Sequence, residues 1–379
     1  MKTTATLTVQ DDLQSTLRGF FKAILEMDTI DALFIPQRLP MENMVMPALV
    51  SDPERIAASD PLAPAFPLNA ARALARLTRQ PTGRKMAAVL RPCEMRAFVE
   101  LIKLKQGAVD DLLLIGCDCL GAYTNRDYFR FVESVGDEGT AAFVQAALKQ
   151  SSGPVDGIDL APACRICEAF IPETADIHLG LLGVDTTREV LVQAGTQEGA
   201  DLLARLEMKR SEPPVGRQKE IDALRNLRTA ARDACFADTA AATDSVEKLT
   251  AYLAHCVNCY NCRVACPVCY CKECVFVTDV FDHDAYQYLQ WARRKGTIKM
   301  PTDTVFYHLT RLAHMSTACV GCGQCSNACP NDIPVMELFR SVAHQAQAAF
   351  DYRAGRSLDE KPPLSEFRED EYQEVVGLG

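Results

Sequence analysis

The spacing of apolar residues divides the chain into two stretches of different character. In residues 11–26, Leu13, Leu17, Phe20, Phe21, Ile24 and Leu25 recur at the interval of one helix face, with Asp11 or Asp12 near its N-terminus. Residues 30–36 form a short, mostly apolar run that predicts a buried strand. A proline-rich connection follows, from Pro40 to Pro67, and residues 69–77 predict a helix rich in Ala, Arg and Leu. Residues 85–90 predict a strand broken by Arg91, Pro92 and Cys93. Residues 94–106 then read as a helix, with Met95, Phe98, Val99, Ile102 and Leu104 on its apolar face. Further strands are predicted at 111–116 and 175–180; between them, 137–157 is helical and then Gly/Ser-rich. This alternation predicts a parallel α/β sheet. Ligands of such sheets bind at the carboxyl ends of strands, where Cys93 and the pair Cys117 and Cys119 lie.

Beyond residue 198 the strand signals stop. Residues 198–245 have helical spacing and predict a helical connector, within which Cys235 reads as a buried thiol. Two more helices are predicted at 282–295 and 302–315, the second with Asp303 as a cap. The tail after residue 349 is charged and contains proline; it reads as an arm over the surface or a partner, or as a disordered end. The expected fold is therefore an N-terminal parallel-sheet α/β domain (1–195), a helical connector (196–248), an α-helical domain (249–345) and a C-terminal arm (346–379).

Charge and cysteine usage narrow the function classes. A formal net charge of −10 argues against a nucleic-acid backbone or an anionic membrane surface as partner. The most apolar short run, 112–116, is far too short to span a bilayer, and the polar, Thr-rich start has no signal-peptide pattern. Seventeen cysteines, odd in number and clustered, do not form a disulfide framework. A reducing cytoplasm, and an anaerobic host, are expected.

The cysteines themselves carry the chemistry. Cys256, Cys259, Cys262 and Cys266, then Cys319, Cys322, Cys325 and Cys329, are two copies of C-x2-C-x2-C-x3-C-P, the spacing that wraps a 4Fe–4S cluster. Three thiolates in a tight loop reach three corners of a cubane, and the fourth usually serves the other cluster. The expected sets are Cys256, Cys259, Cys262 and Cys329, and Cys319, Cys322, Cys325 and Cys266. Zinc has no use for a fourth cysteine before proline. Fifty-two residues separate Cys266 from Cys319, more than a compact bacterial ferredoxin uses. Two helices in that interval resemble the α-helical ferredoxins of fumarate-reductase-type iron–sulfur subunits. A third set is a candidate at the strand ends: Cys93, Cys119 or Cys117, Cys164 and Cys167, with buried free thiols as the plain alternative. Cys269, Cys271 and Cys274 follow the first motif directly. They suggest a fourth cluster completed by Cys117, Cys235 or another ligand, or else thiols flanking the first two clusters, or a small zinc site.

Other chemistry is missing from the sequence: no P-loop, no H-E-x-x-H and no G-x-S-x-G elbow occur. His255 and His314 lie near the motifs, and Arg91, Arg96 and Arg165 stand beside candidate ligands, where they could offset the charge of thiolate-bound clusters.

The runs V-L-R-P-C-E-M-R-A-F-V-E-L, L-L-I-G-C-D-C and C-R-I-C-E, then A-D-I-H-L-G, resemble the coenzyme F420 hydrogenase/dehydrogenase β-subunit family, which includes formate dehydrogenase β subunits. The resemblance covers roughly residues 10–185. It implies Cys93, Cys119, Cys164 and Cys167 as ligands of a 4Fe–4S cluster, and a family flavin, usually FAD, beside it. In place of a Gly-rich stretch near the N-terminal helix this chain has only Gly19. The resulting expectation is an iron–sulfur subunit, with or without flavin, of a cytoplasmic oxidoreductase complex. It would move electrons between a two-electron donor (deazaflavin, NAD(P)H or formate-derived) and a heterodisulfide-reductase-, hydrogenase- or formate-dehydrogenase-like partner. The rival expectation is a cluster-only wire with no substrate site of its own.

Overall fold

A computed structural model describes residues 3–40, 44–81, 83–136, 139–149 and 157–365. The sheet half contains β1 (Thr4–Thr8), α1 (Leu13–Leu25), β2 (Ala32–Arg38), β3 (Val45–Val50), α2 (Ala71–Leu77), β4 (Met86–Leu90), α3 (Pro92–Lys103), β5 (Leu112–Cys117), α4 (Asn125–Val135), α5 (Gly139–Lys149), α6 (Pro162–Arg165), β6 (Ile177–Gly180), β7 (Glu189–Ala194) and α7 (Gln197–Arg205). The helical half contains α8 (Arg217–Thr243), α9 (Val246–Tyr252), α10 (Asn261–Ala265), α11 (Ala285–Lys295), α12 (Thr304–Met315), α13 (Gln324–Asn327) and α14 (Val335–Ala349). No helix among the described residues is long and apolar enough to cross a membrane.

The seven strands form one sheet in the order β1-β7-β6-β5-β4-β2-β3. The expected all-parallel sheet is corrected to a mixed one. The β2, β4, β5 and β6 neighbours pair in parallel, but β3, β7 and β1 add antiparallel ladders at the two sides. The sequence hid these added strands for identifiable reasons. β3 carries Pro47, which an edge strand tolerates because one side of its backbone needs no partner. β1 is rich in threonine, a β-branched residue that suits a strand although it is polar. The expected connector at 198–245 is two helices, α7 and α8, separated by residues 206–216. Residues 150–156 and 366–379, the Gly/Ser-rich stretch and the end of the arm, lie outside the described residues.

Strand alternation sends successive side chains to opposite faces and so divides the interior into two cores. Ala87, Val89, Leu113, Ile115 and Cys117 join Phe21 and Ile24 of α1 in the first core. Met86, Ala88, Leu90, Leu112 and Leu114 face the second, which runs on through Met95 and Phe98 of α3 to Tyr307, Leu312 and Phe339 of the helical half. The helical half is thus built on one face of the sheet, over α2 and α3. Glu100 on α3 fastens the chain beyond α14 to this face. It accepts from the Tyr352 hydroxyl at 2.5 Å and the Gly355 amide at 2.7 Å.

One buried carboxylate organises the strand ends. Asp118, directly after β5, accepts from Arg217 Nη1 (2.7 Å) and Nη2 (3.1 Å) and from the amides of Leu181 (2.8 Å) and Leu182 (2.9 Å). His178 Nε2 lies 2.7 Å from its other oxygen. Burial alone would raise this carboxyl; the bonds from His178 and Arg217 outweigh it and hold the group at about 2. A depressed value means the stabilisation is complete above about pH 4 and is lost as pH falls toward 2. Asp118→Asn leaves the Arg217 charge buried without its counter-ion. It should lower unfolding free energy by about 3–5 kcal/mol, with the same deficit at pH 6 and pH 8. Anaerobic urea unfolding followed by circular dichroism checks this; a loss below about 1 kcal/mol would show that the ion pair does not anchor the strand ends.

Candidate metal centres

The two cysteine motifs follow the same backbone path. Each runs as a loop into a short helix, α10 or α13, and these helices pack against each other. Both loops pass through left-handed backbone at equivalent places: Asn258 (φ 50°) and Tyr260 (φ 62°) in the first, Gly321 (φ 69°) and Gly323 (φ 80°) in the second. The turns direct backbone N–H groups at sulfur. Asn258, Gly321 and Gln324 donate to Cys256, Cys319 and Cys322. Successive inward amides of this kind form a nest for an anion.

Packing decides why only the second loop needs glycine. A Cβ at Gly323 would stand 2.4 Å from the Ala163 Cβ, and one at Gly321 would stand 2.7 Å from Arg340 Cδ. The first loop has room outside it. There the Tyr260 ring meets Tyr307 edge-on at 4.9 Å, and Asn258 Nδ2 donates to Asp303 at 2.9 Å. Asp303 therefore holds the first loop and makes no side-chain cap for α12, correcting its expected role.

The fold gathers the cysteines into neighbouring sets. Cys266 lies within electrostatic reach of Cys319, Cys322 and Cys325, across from the triplet that precedes it in sequence. Cys256 lies with Cys259 and Cys262. The end of the second motif returns toward this triplet: two residues beyond Cys329, Asn331 Nδ2 donates to the His255 carbonyl at 2.5 Å. At the strand ends, Cys93 in the first turn of α3 neighbours Cys119 and Cys167, and Cys164 neighbours both of those. Cys93 also faces Cys322 across the boundary between the two halves. Cys269 lies beside Cys266 and Cys271, Cys274 lies near Tyr260, and Cys271 is exposed. Among the described residues, no three or more His, Cys, Asp or Glu side chains converge on a point that would hold a single metal ion. A cubane makes a different demand, because its four ligands bind separate irons.

Cys117 and Cys235 lie apart from these sets. Cys117 ends β5 with its side chain in the first core, and burial pushes its thiol up to about 12. Cys235 packs with Phe236 against Ala163, Ile166 and Met336.

Two observations test whether an iron–sulfur group fits. Burial pushes the thiols of Cys93, Cys266, Cys319 and Cys325 up, and those of Cys164 and Cys322 up to about 12. Alone they stay neutral at pH 7; iron reverses this, because binding it drives the proton off. Secondly, buried nitrogens beside the thiols have no partner: Asn69 Nδ2, Arg263 Nε, Arg311 Nε and His308 Nδ1. Asn69 adjoins Cys322, Arg263 adjoins Cys269, and His308 Nε2 lies 3.4 Å from Cys256 Sγ. Buried polar atoms are almost always satisfied, so unpaired N–H donors facing thiols fit a sulfur-rich anionic core.

The basic residues singled out in the sequence turn out to serve the backbone. Arg91 donates to the carbonyls of Ala63, Ala65 and Gly121 at 2.6, 2.7 and 3.2 Å, although Cys119 and Cys93 lie near enough to raise its pKa against the effect of burial. Arg96 donates to the Ala354 and Val320 carbonyls, and Arg165 forms a partly exposed pair with Asp159. His255 and His314 are exposed. The residues that do touch cysteine were missed. On α12, Tyr307, His308 and Arg311 occupy the buried face at helical spacing, beside Thr304, Leu312 and Met315. Arg311 Nη1 donates to Cys262 Sγ at 3.0 Å. A polar, cationic stripe where a helix should present apolar residues was the available signal.

Gly323→Ala combines a left-handed backbone penalty of about 1–2 kcal/mol with the contact against Ala163. It should destabilise the protein by about 2 kcal/mol or more and reduce iron retained on anaerobic purification, whereas Tyr260→Gly should change iron content little. Thermal unfolding and iron analysis of both variants check this.

Comparison with known proteins now bears on these centres. Residues 83–212 match the family described as the C terminus of the coenzyme F420 hydrogenase/dehydrogenase beta subunit, and residues 252–333 match the 4Fe-4S dicluster domain. The chain is 24% identical over 369 residues to the F420-dependent formate dehydrogenase subunit beta of Methanocaldococcus jannaschii, covering 91% of this chain and 92% of that protein. It is 26% identical over 305 residues to the F420-dependent formate dehydrogenase 1 subunit beta of Methanococcus maripaludis, covering 74% and 75%. A chain of the F420-reducing [NiFe] hydrogenase complex from Methanosarcina barkeri superposes with a TM-score of 0.45 at 14% identity, over 65% of this chain and 94% of that one. The two curated relatives are subunits of an oxidoreductase. This chain joins the C-terminal domain of the coenzyme F420 hydrogenase/dehydrogenase β subunit to a 4Fe–4S dicluster domain.

Proposed function

We propose that this chain is the iron–sulfur electron-transfer subunit of a cytoplasmic F420-dependent formate dehydrogenase or related complex. It links a two-electron donor (a deazaflavin, NAD(P)H or formate-derived equivalents) to a partner of the formate-dehydrogenase, hydrogenase or heterodisulfide-reductase kind. The observation that carries this is the line of thiol sets: the strand-end set meets the second through Cys93 and Cys322, and Arg311 lies between the second and the third. In this reading Cys93, Cys119, Cys164 and Cys167 hold one cluster, Cys266, Cys319, Cys322 and Cys325 the next, and Cys256, Cys259, Cys262 and Cys329 the last. Bound 4Fe–4S clusters supply one-electron redox capacity at each position. The protein buries the thiols, directs amides at them and keeps the sets close.

A partner is supported at the helical half. Among the described residues 19 large apolar side chains are exposed, and 11 of them lie between residues 257 and 309. Helix α11 buries none of its residues and ends in Arg293, Arg294 and Lys295, on a chain whose net charge is −10. Lys299, from the same segment, donates to the Cys256 carbonyl at 2.8 Å, so this surface adjoins the first motif. Apolar side chains with a basic rim fit a redox subunit with an acidic contact surface. In the native complex, Leu289→Glu with Arg294→Glu should weaken association at least tenfold, measured by subunit retention on dilution, and leave the iron of this chain unchanged.

A second reading adds a flavin. A hydride carrier such as a deazaflavin exchanges electrons in pairs, and a flavin converts pairs to single electrons. The strand-end cavity beside Arg91, Cys119 and Gly121 is about 30 Å³, room for a water and not for a flavin ring. A 330 Å³ cavity between the halves, lined by Phe66, Arg126, Arg130, Cys164 and Cys322, reaches the size of small-molecule sites. Flavin content of protein purified without oxygen separates the readings: one flavin per chain favours the second, and none leaves the cluster-only relay.

The relay requires about 12 irons per chain, and about 16 if Cys269, Cys271 and Cys274 hold a fourth cluster. Cys119→Ser should remove about four irons and one paramagnetic signal, while Cys117→Ser and Cys235→Ser should remove none. Iron-free wild-type protein, or equal losses from all three variants, would overturn the proposal.

A further inference from the structure

Arg311 is an unusual cation. Its residue is 4% exposed, and among the described residues no carboxylate pairs with it. Nη1 donates to Cys262 Sγ at 3.0 Å and Nη2 to the Cys262 carbonyl at 3.2 Å, while Nε is buried without a partner. The guanidinium lies 4.7 Å over the Phe339 ring and 5.5 Å from that of Tyr307, whose hydroxyl is 3.5 Å from the same sulfur. Cys266 and Cys325, members of the other motif set, lie within its electrostatic reach. A buried charge left uncompensated costs several kcal/mol, so a site that keeps one without a carboxylate must offer negative charge in another form. Thiolate sulfur on two sides is that form here.

We infer that Arg311 is the shared counter-cation of the two motif centres and sets the potential at which they take up an electron; this rests on the relay reading above. One-electron reduction adds one negative charge to a thiolate-bound centre. A fixed cation at hydrogen-bond distance from one ligand, in a water-poor interior, favours that reduced form and raises the potential. Because the same guanidinium faces both sets, it acts on both centres. The aromatic rings hold its plane in place and exclude water that would screen it. The strand-end set lacks this cation, so its potential should be independent of residue 311.

The test is an anaerobic redox titration of the full-length protein, followed by electron paramagnetic resonance, with external mediators supplying the electrons. In Arg311→Gln with complete iron, the reduced-to-oxidised ratio of at least one motif centre at fixed potential should fall about tenfold, which is a midpoint about 59 mV lower. The strand-end signal should not move, and Tyr307→Phe, which keeps the cation, should move none of them by that much. Unchanged midpoints at full iron, or an equal shift at all centres, would overturn the assignment. Should Arg311→Gln shed iron, Arg311→Lys decides. Full iron in the Lys variant shows that the charge is what the centres require; iron loss equal to that of the Gln variant assigns Arg311 to hydrogen-bond geometry and overturns the counter-cation. Wild-type protein without cluster signals would instead remove the relay reading itself.

Discussion

The close approach of the second cysteine loop to the strand-end side of the sheet is the constraint on which the structure depends. Gly323 leaves no room for a side chain against Ala163, and Cys322 faces Cys93 across the same boundary. The contact is made by backbone, so it is fixed by hydrogen bonds and not by interchangeable apolar side chains. Gln324 Nε2 and Asn327 Nδ2 both donate to the Phe66 carbonyl, at 2.7 and 3.2 Å, and the Asn125 amide donates to Asn327 Oδ1 at 2.9 Å. Arg340 reaches from α14 to the Ala163 carbonyl and pairs with Glu168. Two halves that could have been tethered domains are joined where the thiol sets come nearest.

Charge follows from that burial. Arg228, Arg311 and Arg340 are buried and Arg91 and Arg96 are half-buried, all around the cysteine sets. Most of them donate to backbone carbonyls. The backbone bonds fix each guanidinium, while its charge remains available to offset negative sulfur nearby. Arg311 departs from this pattern because its sulfur contact is direct. Asp118 provides the opposite case: its charge is fully answered by Arg217 and His178, and it holds the strand ends on which Cys119 depends.

The helical half has two unlike sides. Its second motif faces the sheet and needs glycine; its first motif faces outward, tolerates Asn258 and Tyr260 in left-handed backbone, and adjoins the exposed apolar segment that includes α11. This polarity gives the line of thiol sets an inner and an outer end. It also explains the length of the interval between the motifs, since that interval supplies both the buried face of α12, with its cation, and the exposed surface.

Cysteine spacing and apolar periodicity determined by themselves the iron–sulfur chemistry, the strand-helix alternation of residues 30–116 and the helical character of the rest, because each is a local property of the chain. The edge strands β1 and β3 escaped detection because ladder partners far away in sequence, and not local hydrophobicity, make them strands. Only the tertiary structure decided that Cys117 points into the first core while Cys119 joins Cys164 and Cys167, since a single step along a strand reverses the face. It also decided that Arg311 and His308 reach sulfur while Arg91, Arg165, His255 and His314 do not. Adjacency in sequence says nothing of which side chain a helix turns inward, and the packing of α12 between the motifs settles that.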